Sequence, residues 1–140
     1  MGNGVQAAEA SLRLGKLEAD SAKTRIDAIT TFGKGLKALG TPSNALGLEL
    51  AVQLGIQKAQ AELSAKKWAD AETTLRQLVG WSSKTQDAYS TAWAYSALAQ
   101  AMLKLKKRDD AIEALKEGRP FAKKSKDDEL LKSFDANLVK

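Results

Sequence analysis

Trp93-Ala94-Tyr95-Ser96-Ala97-Leu98-Ala99-Gln100-Ala101-Met102-Leu103-Lys104-Leu105-Lys106-Lys107-Arg108-Asp109-Asp110-Ala111-Ile112-Glu113-Ala114-Leu115 is the stretch that decides the fold. Its first half sets Tyr95, Leu98, Met102 and Leu105 three or four residues apart, in line with Ala88 and Ala92 upstream. That spacing collects side chains on one face of a helix. Lys106-Lys107-Arg108 interrupts it, and Asp109 or Asp110 opens a second helix through Ala111, Ile112 and Leu115. Carboxylates in a first turn complement the helix dipole. A connection this short makes the two helices antiparallel neighbours.

The same grammar occurs twice upstream. Arg25-Ile26-Asp27-Ala28-Ile29-Thr30-Thr31-Phe32 and Lys67-Trp68-Ala69-Asp70-Ala71-Glu72-Thr73-Thr74-Leu75 both match Lys107 to Leu115. In each, basic residues precede an acidic one, an Ala follows, and a large apolar residue stands four positions later: Ala28/Phe32, Ala71/Leu75, Ala111/Leu115. A small Ala lets two helices approach, and the large residue fills the groove beside it. One helix pair cannot bury its apolar face alone, so pairs stack.

Periodicity extends this over the chain, with no alternating strand pattern. Residues 5–21 form a first helix with Leu12, Leu14 and Leu17 as its main apolar positions. A second, 24–39, puts Ile26, Ile29, Phe32, Leu36 and Leu39 on one face. Gly40-Thr41-Pro42-Ser43-Asn44 is a break, with Gly40 suited to a helix end and Thr41-Pro42 or Ser43 to the next start. The third helix, 44–65, aligns Leu48, Val52, Ile56, Ala59 and Leu63, and the fourth aligns Trp68, Ala71, Leu75 and Leu78. Gly80-Trp81-Ser82-Ser83 reads as its end, with Trp81 folding back as a lid on the core. Ser83 with Gln86 reads as the capping box of the fifth helix. Pro120 reads as ending or kinking the sixth. Ser125 with Asp128 opens a seventh through Leu131, Phe134 and Leu138.

With the units laid out this way, the pattern resembles the tetratricopeptide repeat (TPR). Tyr95, Leu98, Ala99 and Met102 match the packing residues of that family's first helix, and Ala111 and Leu115 those of its second. The middle unit keeps Ala59, Trp68, Ala71 and Leu75, with Lys58 where the family prefers Leu. The first keeps Leu14-Gly15, Ala28 and Phe32, with one extra residue between its helices. The Ala-to-Ala spacings are 43 and 40, against about 34 residues in the family. The family's repeat-ending Pro is missing from its usual place in all three units. The resemblance implies an all-α fold of about seven helices, built as antiparallel helix pairs stacked in a TPR-like α-solenoid. It would be a single domain over 1–140, with units at 5–40, 44–80 and 84–119 and a capping helix at 125–139.

Composition excludes much chemistry. The chain has 140 residues with no His and no Cys. The nucleophile pairs built on His or Cys are impossible. Zinc, haem and iron–sulfur centres lose their usual ligands. No enzyme activity, cofactor or metal is expected. Ala and Leu number 24 and 19 against two prolines, in keeping with helices throughout. No apolar run reaches the roughly 20 residues of a membrane span. Met1-Gly2-Asn3-Gly4 does not open a signal peptide; the expected location is cytoplasmic, and the lack of Cys is compatible with either cytosol or periplasm. The net charge of +5 is spread over both halves, with 9 basic and 7 acidic residues in 1–70. A nucleic-acid binder concentrates its basic charge, so nucleic acid is not the expected partner.

In TPR proteins the first helix of each pair lines a concave groove that holds a peptide or partner segment. The resemblance carries that role to Arg13 and Lys16 in the first unit, Gln53, Ile56, Gln57 and Gln60 in the second, and Trp93, Ser96, Gln100 and Lys104 in the third. Independently, Trp93, Ser96, Gln100 and Lys104 lie three or four apart, off the Ala88–Leu105 stripe. Amides and hydroxyls pair with any peptide backbone, an aromatic residue can anchor an interface, and the cations favour acidic groups on the ligand. The expectation is a non-catalytic interaction module, an adaptor, co-chaperone-like or assembly factor. The alternative is a bundle that self-associates into homo-oligomers. Such a bundle could also meet anionic lipid or RNA through Lys66-Lys67, Lys106-Lys107-Arg108 and Lys123-Lys124-Ser125-Lys126.

Overall fold

The computed structural model describes residues 2–21, 24–42 and 44–139. Among them are seven helices and no strand: α1 (Gly2–Ala19), α2 (Arg25–Leu39), α3 (Ala45–Ser64), α4 (Trp68–Thr85), α5 (Ala88–Lys104), α6 (Arg108–Ser125) and α7 (Asp128–Val139). Each helix packs on the next. In addition α1 touches α3, α3 touches α5 and α5 touches α7, whereas α2, α4 and α6 touch no other even-numbered helix among the described residues.

The turns repeat a single geometry. Lys66 and Lys106 both lie in the left-handed region, at φ 60° and 62°. Behind each, the next amide reaches back over the helix end: Lys67 N–H to Glu62 O and Lys107 N–H to Met102 O, both 2.8 Å. Lys66 N–H bonds Leu63 O, and Lys106 N–H bonds Leu103 O. This double closure satisfies carbonyls that a helix end leaves free. The other pair of turns matches as well. Gln86 and Lys126 have φ 62° and 63°, and Asp87 and Asp127 accept the amides of Ser90 and Leu130 at 3.0 Å. Forty residues separate the members of each pair.

Several local readings change. The fourth helix does not stop at Gly80; it runs to Thr85, so Trp81 is helical rather than part of a polar turn. Ser82 is buried, and the hydroxyls of Ser82, Ser83 and Thr85 bond the carbonyls of Val79, Gly80 and Ser82. These bonds satisfy the hydroxyls on the helix's own carbonyls, so they need no partner outside it. Asp87, not Ser83, caps α5, and Asp127 serves α7. Pro120 neither ends nor breaks α6. Phe121 and Ala122 beyond it pack into the core and hold the last turn in place. Asn44 caps α3 through Gly47 N–H at 2.7 Å; Ser43 lies outside the described residues, as does the side chain of Leu138. Ile26 faces water, and so do Leu14 and Leu17, which leaves Leu12 as the buried leucine of α1.

The core has two parts. One joins α3 to α7 around Leu75, Leu78, Leu98, Leu115 and Phe134. The other joins α1, α2 and the start of α3 around Phe32 and Leu54. Close approach sets several small residues. A Cβ on Gly15 would stand 2.7 Å from Phe32 Cζ, and one on Gly118 would stand 2.7 Å from Phe134 Cε1. The Ala-plus-large-residue pairs of the sequence are all in the interior: Ala28/Phe32, Ala71/Leu75 and Ala111/Leu115.

Candidate functional site

The residues expected to line a groove lie on α1, α3 and α5, helices that touch one another in a row. Arg13, Lys16, Gln60, Gln100 and Lys104 are exposed, and Gln53, Ile56, Gln57, Trp93 and Ser96 are half-buried.

Three recesses open among these residues. Arg13 and Gln53 share one of 290 Å³ between α1 and α3, with Glu9 and Glu49 in its wall. Gln53 also lines a second, of 630 Å³, together with Ile56, Lys84 and Asp87. This one lies where the starts of α3 and α5 meet the end of α4. Gln100 and Lys104 line the third, of 380 Å³, at the far ends of α3 and α5 with Leu63, Ser64, Trp68 and Leu103. There Lys104 Nζ stands 5.7 Å from the Trp68 ring centroid, a cation–π distance. Thus Arg13 joins Gln53, Gln53 joins Ile56, and Gln100 joins Lys104. Lys16, Gln57, Gln60, Trp93 and Ser96 line none of these three recesses. Trp93 packs against the core beside its place on the row.

Trp68 and Leu103 belong to the third recess, and the groove positions did not include them. Leu103 is an exposed leucine three residues after Gln100. Its spacing from Gln100 could have found it. Trp68 starts a helix of the other layer, so no periodicity on α5 points to it.

The basic junctions are partly committed within the chain. Lys107 Nζ donates to Glu72 Oε1 at 2.9 Å, and Arg76 bonds Glu72 Oε2 at 3.0 Å. Glu72 is buried on α4. Its carboxyl lies below the ordinary value of 4.5 because Lys107, with Arg76, stabilises the anion against the opposing effect of burial. Arg119 and Asp135 form a further pair at 2.6 Å between α6 and α7.

Among the described residues no group of three or more Asp, Glu, His or Cys is placed to hold a metal ion. No helix of the described residues is long and apolar enough to cross a membrane. No known protein-family model matches the chain, and no curated protein matches it.

Proposed function

We propose that the chain is a non-catalytic binding module, a divergent TPR-like stack of helix pairs that holds a peptide or partner segment along the row α1–α3–α5. The observation that carries this reading is the asymmetry of the packing. Among the described residues each odd-numbered helix touches the next odd-numbered one, and even-numbered ones do not touch one another. In the proposed stack, unequal packing of this kind favours bending toward the continuous row, which would then be the inner face. The side chains there suit recognition. Amides of Gln53, Gln60 and Gln100 can pair with an extended backbone. The Trp68–Leu103 recess takes an apolar side chain, with Lys104 at its rim for an acidic group. The absence of His and Cys removes the commonest acid–base and nucleophilic groups, so recognition is the better use of this surface. Lys107 is engaged by Glu72, which leaves less of the basic edge for lipid or RNA.

The test is capture of partners from the source organism with the parent chain, Gln100→Ala and Lys104→Glu. Both positions are exposed, so the variants keep the fold. A partner captured by the parent and lost in both variants supports the groove. A partner kept in both places binding elsewhere and contradicts it.

A further inference from the structure

The pair α1–α2 is closed on itself at three levels. A Cβ on Gly4 of α1 would stand 2.6 Å from Ala38 O of α2, and one on Gly35 of α2 would stand 2.8 Å from Ser11 Cβ of α1. Gly15 of α1 receives the Phe32 ring of α2 in the same way. Thr31 of α2 donates to Glu18 of α1. Outside the pair, the two helices touch α3 and no other helix among the described residues. That seam is apolar. Leu54 of α3 is fully buried, with Cδ2 3.1 Å from the Cβ position of Gly35, and Leu50 joins it in the smaller part of the core. The later seams carry ion pairs as well. Glu72 of α4 pairs with Lys107 at the α5–α6 turn, and Arg119 of α6 pairs with Asp135 of α7. Among the described residues no ion pair crosses from α1–α2 to α3. The hold of α3 on the rest of the chain is independent of that seam. Its Val52 and Ala59 belong to the larger part of the core, and its Lys58 donates to Thr74 of α4.

We infer that α1–α2 is a latch. It leaves α3 transiently as one body while α3–α7 stay folded, and its return completes one end of the row α1–α3–α5. Cooperative units that open below the global unfolding free energy coincide with supersecondary motifs of this kind. The pair keeps its own interior when it leaves, because Phe32, Gly15, Glu18 and Thr31 meet within it. The remaining helices keep theirs, because the larger part of the core runs from α3 to α7 without a residue of α1 or α2. Opening takes Glu9, Leu12 and Arg13 away from Glu49 and Gln53, so the 290 Å³ recess exists only while the latch is closed. The other two recesses are lined by residues 44–104 and keep their walls. The latch thus sets how much of the proposed groove a partner meets, and this consequence alone rests on the groove reading.

The test is native-state hydrogen exchange of the full chain in low urea, followed by amide NMR. No partner is present, so the latch and the groove reading fail separately. The amides of α1 and α2 should converge on one shared opening reaction. Its urea slope should be smaller than that of α5–α6, because less surface is exposed, and exchange should be about tenfold faster or more. Ala99→Gly is a mild change at a buried position of α5. It should speed exchange in α5–α6 about fivefold and leave α1–α2 unchanged, since residue 99 is packed alike in the closed and open forms. Leu54→Ala should speed exchange in α1–α2 about thirtyfold or more, with the α5–α6 resonances at their folded positions. A single isotherm shared by α1–α2 and α5–α6 would overturn the latch, as would an Ala99→Gly effect equal in both. Separate isotherms for α1 and α2, or exchange that quickens residue by residue toward the start of α1, would reduce it to fraying and overturn it too.

Discussion

The α3–α4 and α5–α6 pairs turn their chains in the same way and bury different chemistry at the same places. In the later pair Leu98, Met102 and Ala114 meet in an apolar interior. Forty residues earlier stand Lys58, Glu62 and Thr74. Lys58 Nζ donates to Glu62 Oε2 at 3.2 Å and to Thr74 Oγ1 at 3.0 Å, and its Cε lies 3.5 Å from the Cβ position of Gly33 on α2. Glu62 is 1% exposed, and its Oε1 has no hydrogen-bond partner among the described residues. The first pair continues the trend, with Thr31 donating to Glu18 between α1 and α2. The fold therefore accepts either a polar bridge or an apolar contact where the two helices of a pair meet. The positions must agree with one another. A buried ion pair stabilises little against an apolar replacement, but removing one partner leaves a charge stranded.

The largest effect should come from splitting that bridge. Lys58→Leu leaves the Glu62 carboxylate buried without its cation and should cost about 3 kcal/mol, read as a lower urea midpoint at unchanged slope. Leu98→Lys, the mirror change in the later pair, should cost about as much, since no carboxylate waits for it at Met102.

A smaller loss should follow at Glu72, where the two bonded cations are half-exposed and partly screened. Glu72→Gln should cost about 1 kcal/mol at neutral pH. The sign of its pH dependence is fixed. Its carboxyl titrates lower in the folded chain than in the unfolded one. The stabilisation is thus present above about pH 4.5 and is lost as pH falls through the folded value. Melting temperature measured against pH should fall less steeply below pH 5 in Glu72→Gln than in the parent.

The smallest expected effects are gains. Lys66 and Lys106 hold left-handed backbone that glycine adopts without strain. Lys66→Gly and Lys106→Gly should each stabilise by about 1 kcal/mol. The double variant should show the sum, because the two turns are equivalent and separate.

Where apolar spacing and turn chemistry agreed, the sequence was sufficient. The α5–α6 pair, the Ala28/Phe32, Ala71/Leu75 and Ala111/Leu115 contacts and the all-helical class were all legible. Local breakers misled at Gly80 and Pro120, because burial of Ser82, Phe121 and Ala122 further along outweighs a local preference. The Lys58–Glu62–Thr74 bridge was hidden for another reason. Charged residues read as surface; the resemblance flags Lys58 alone, at a position where the family prefers Leu, and the forty-residue alignment with Leu98, Met102 and Ala114 is what marks Glu62 and Thr74 as interior with it. Leu14 and Leu17 misled in the opposite way, since periodicity shows that a helix has an apolar face and not whether anything covers it. Of the candidate groove, the row α1–α3–α5 was legible through the helix order, whereas the part played by Trp68 depends on how α4 crosses α5.

The account rests on the α3–α4 and α5–α6 pairs being one structural plan with interchangeable interiors. The direct test moves the later interior into the earlier pair as Lys58→Leu, Glu62→Met and Thr74→Ala together, followed by urea unfolding. The predicted midpoint is at or above that of the parent, well above Lys58→Leu alone. A triple variant no more stable than Lys58→Leu would contradict the shared plan.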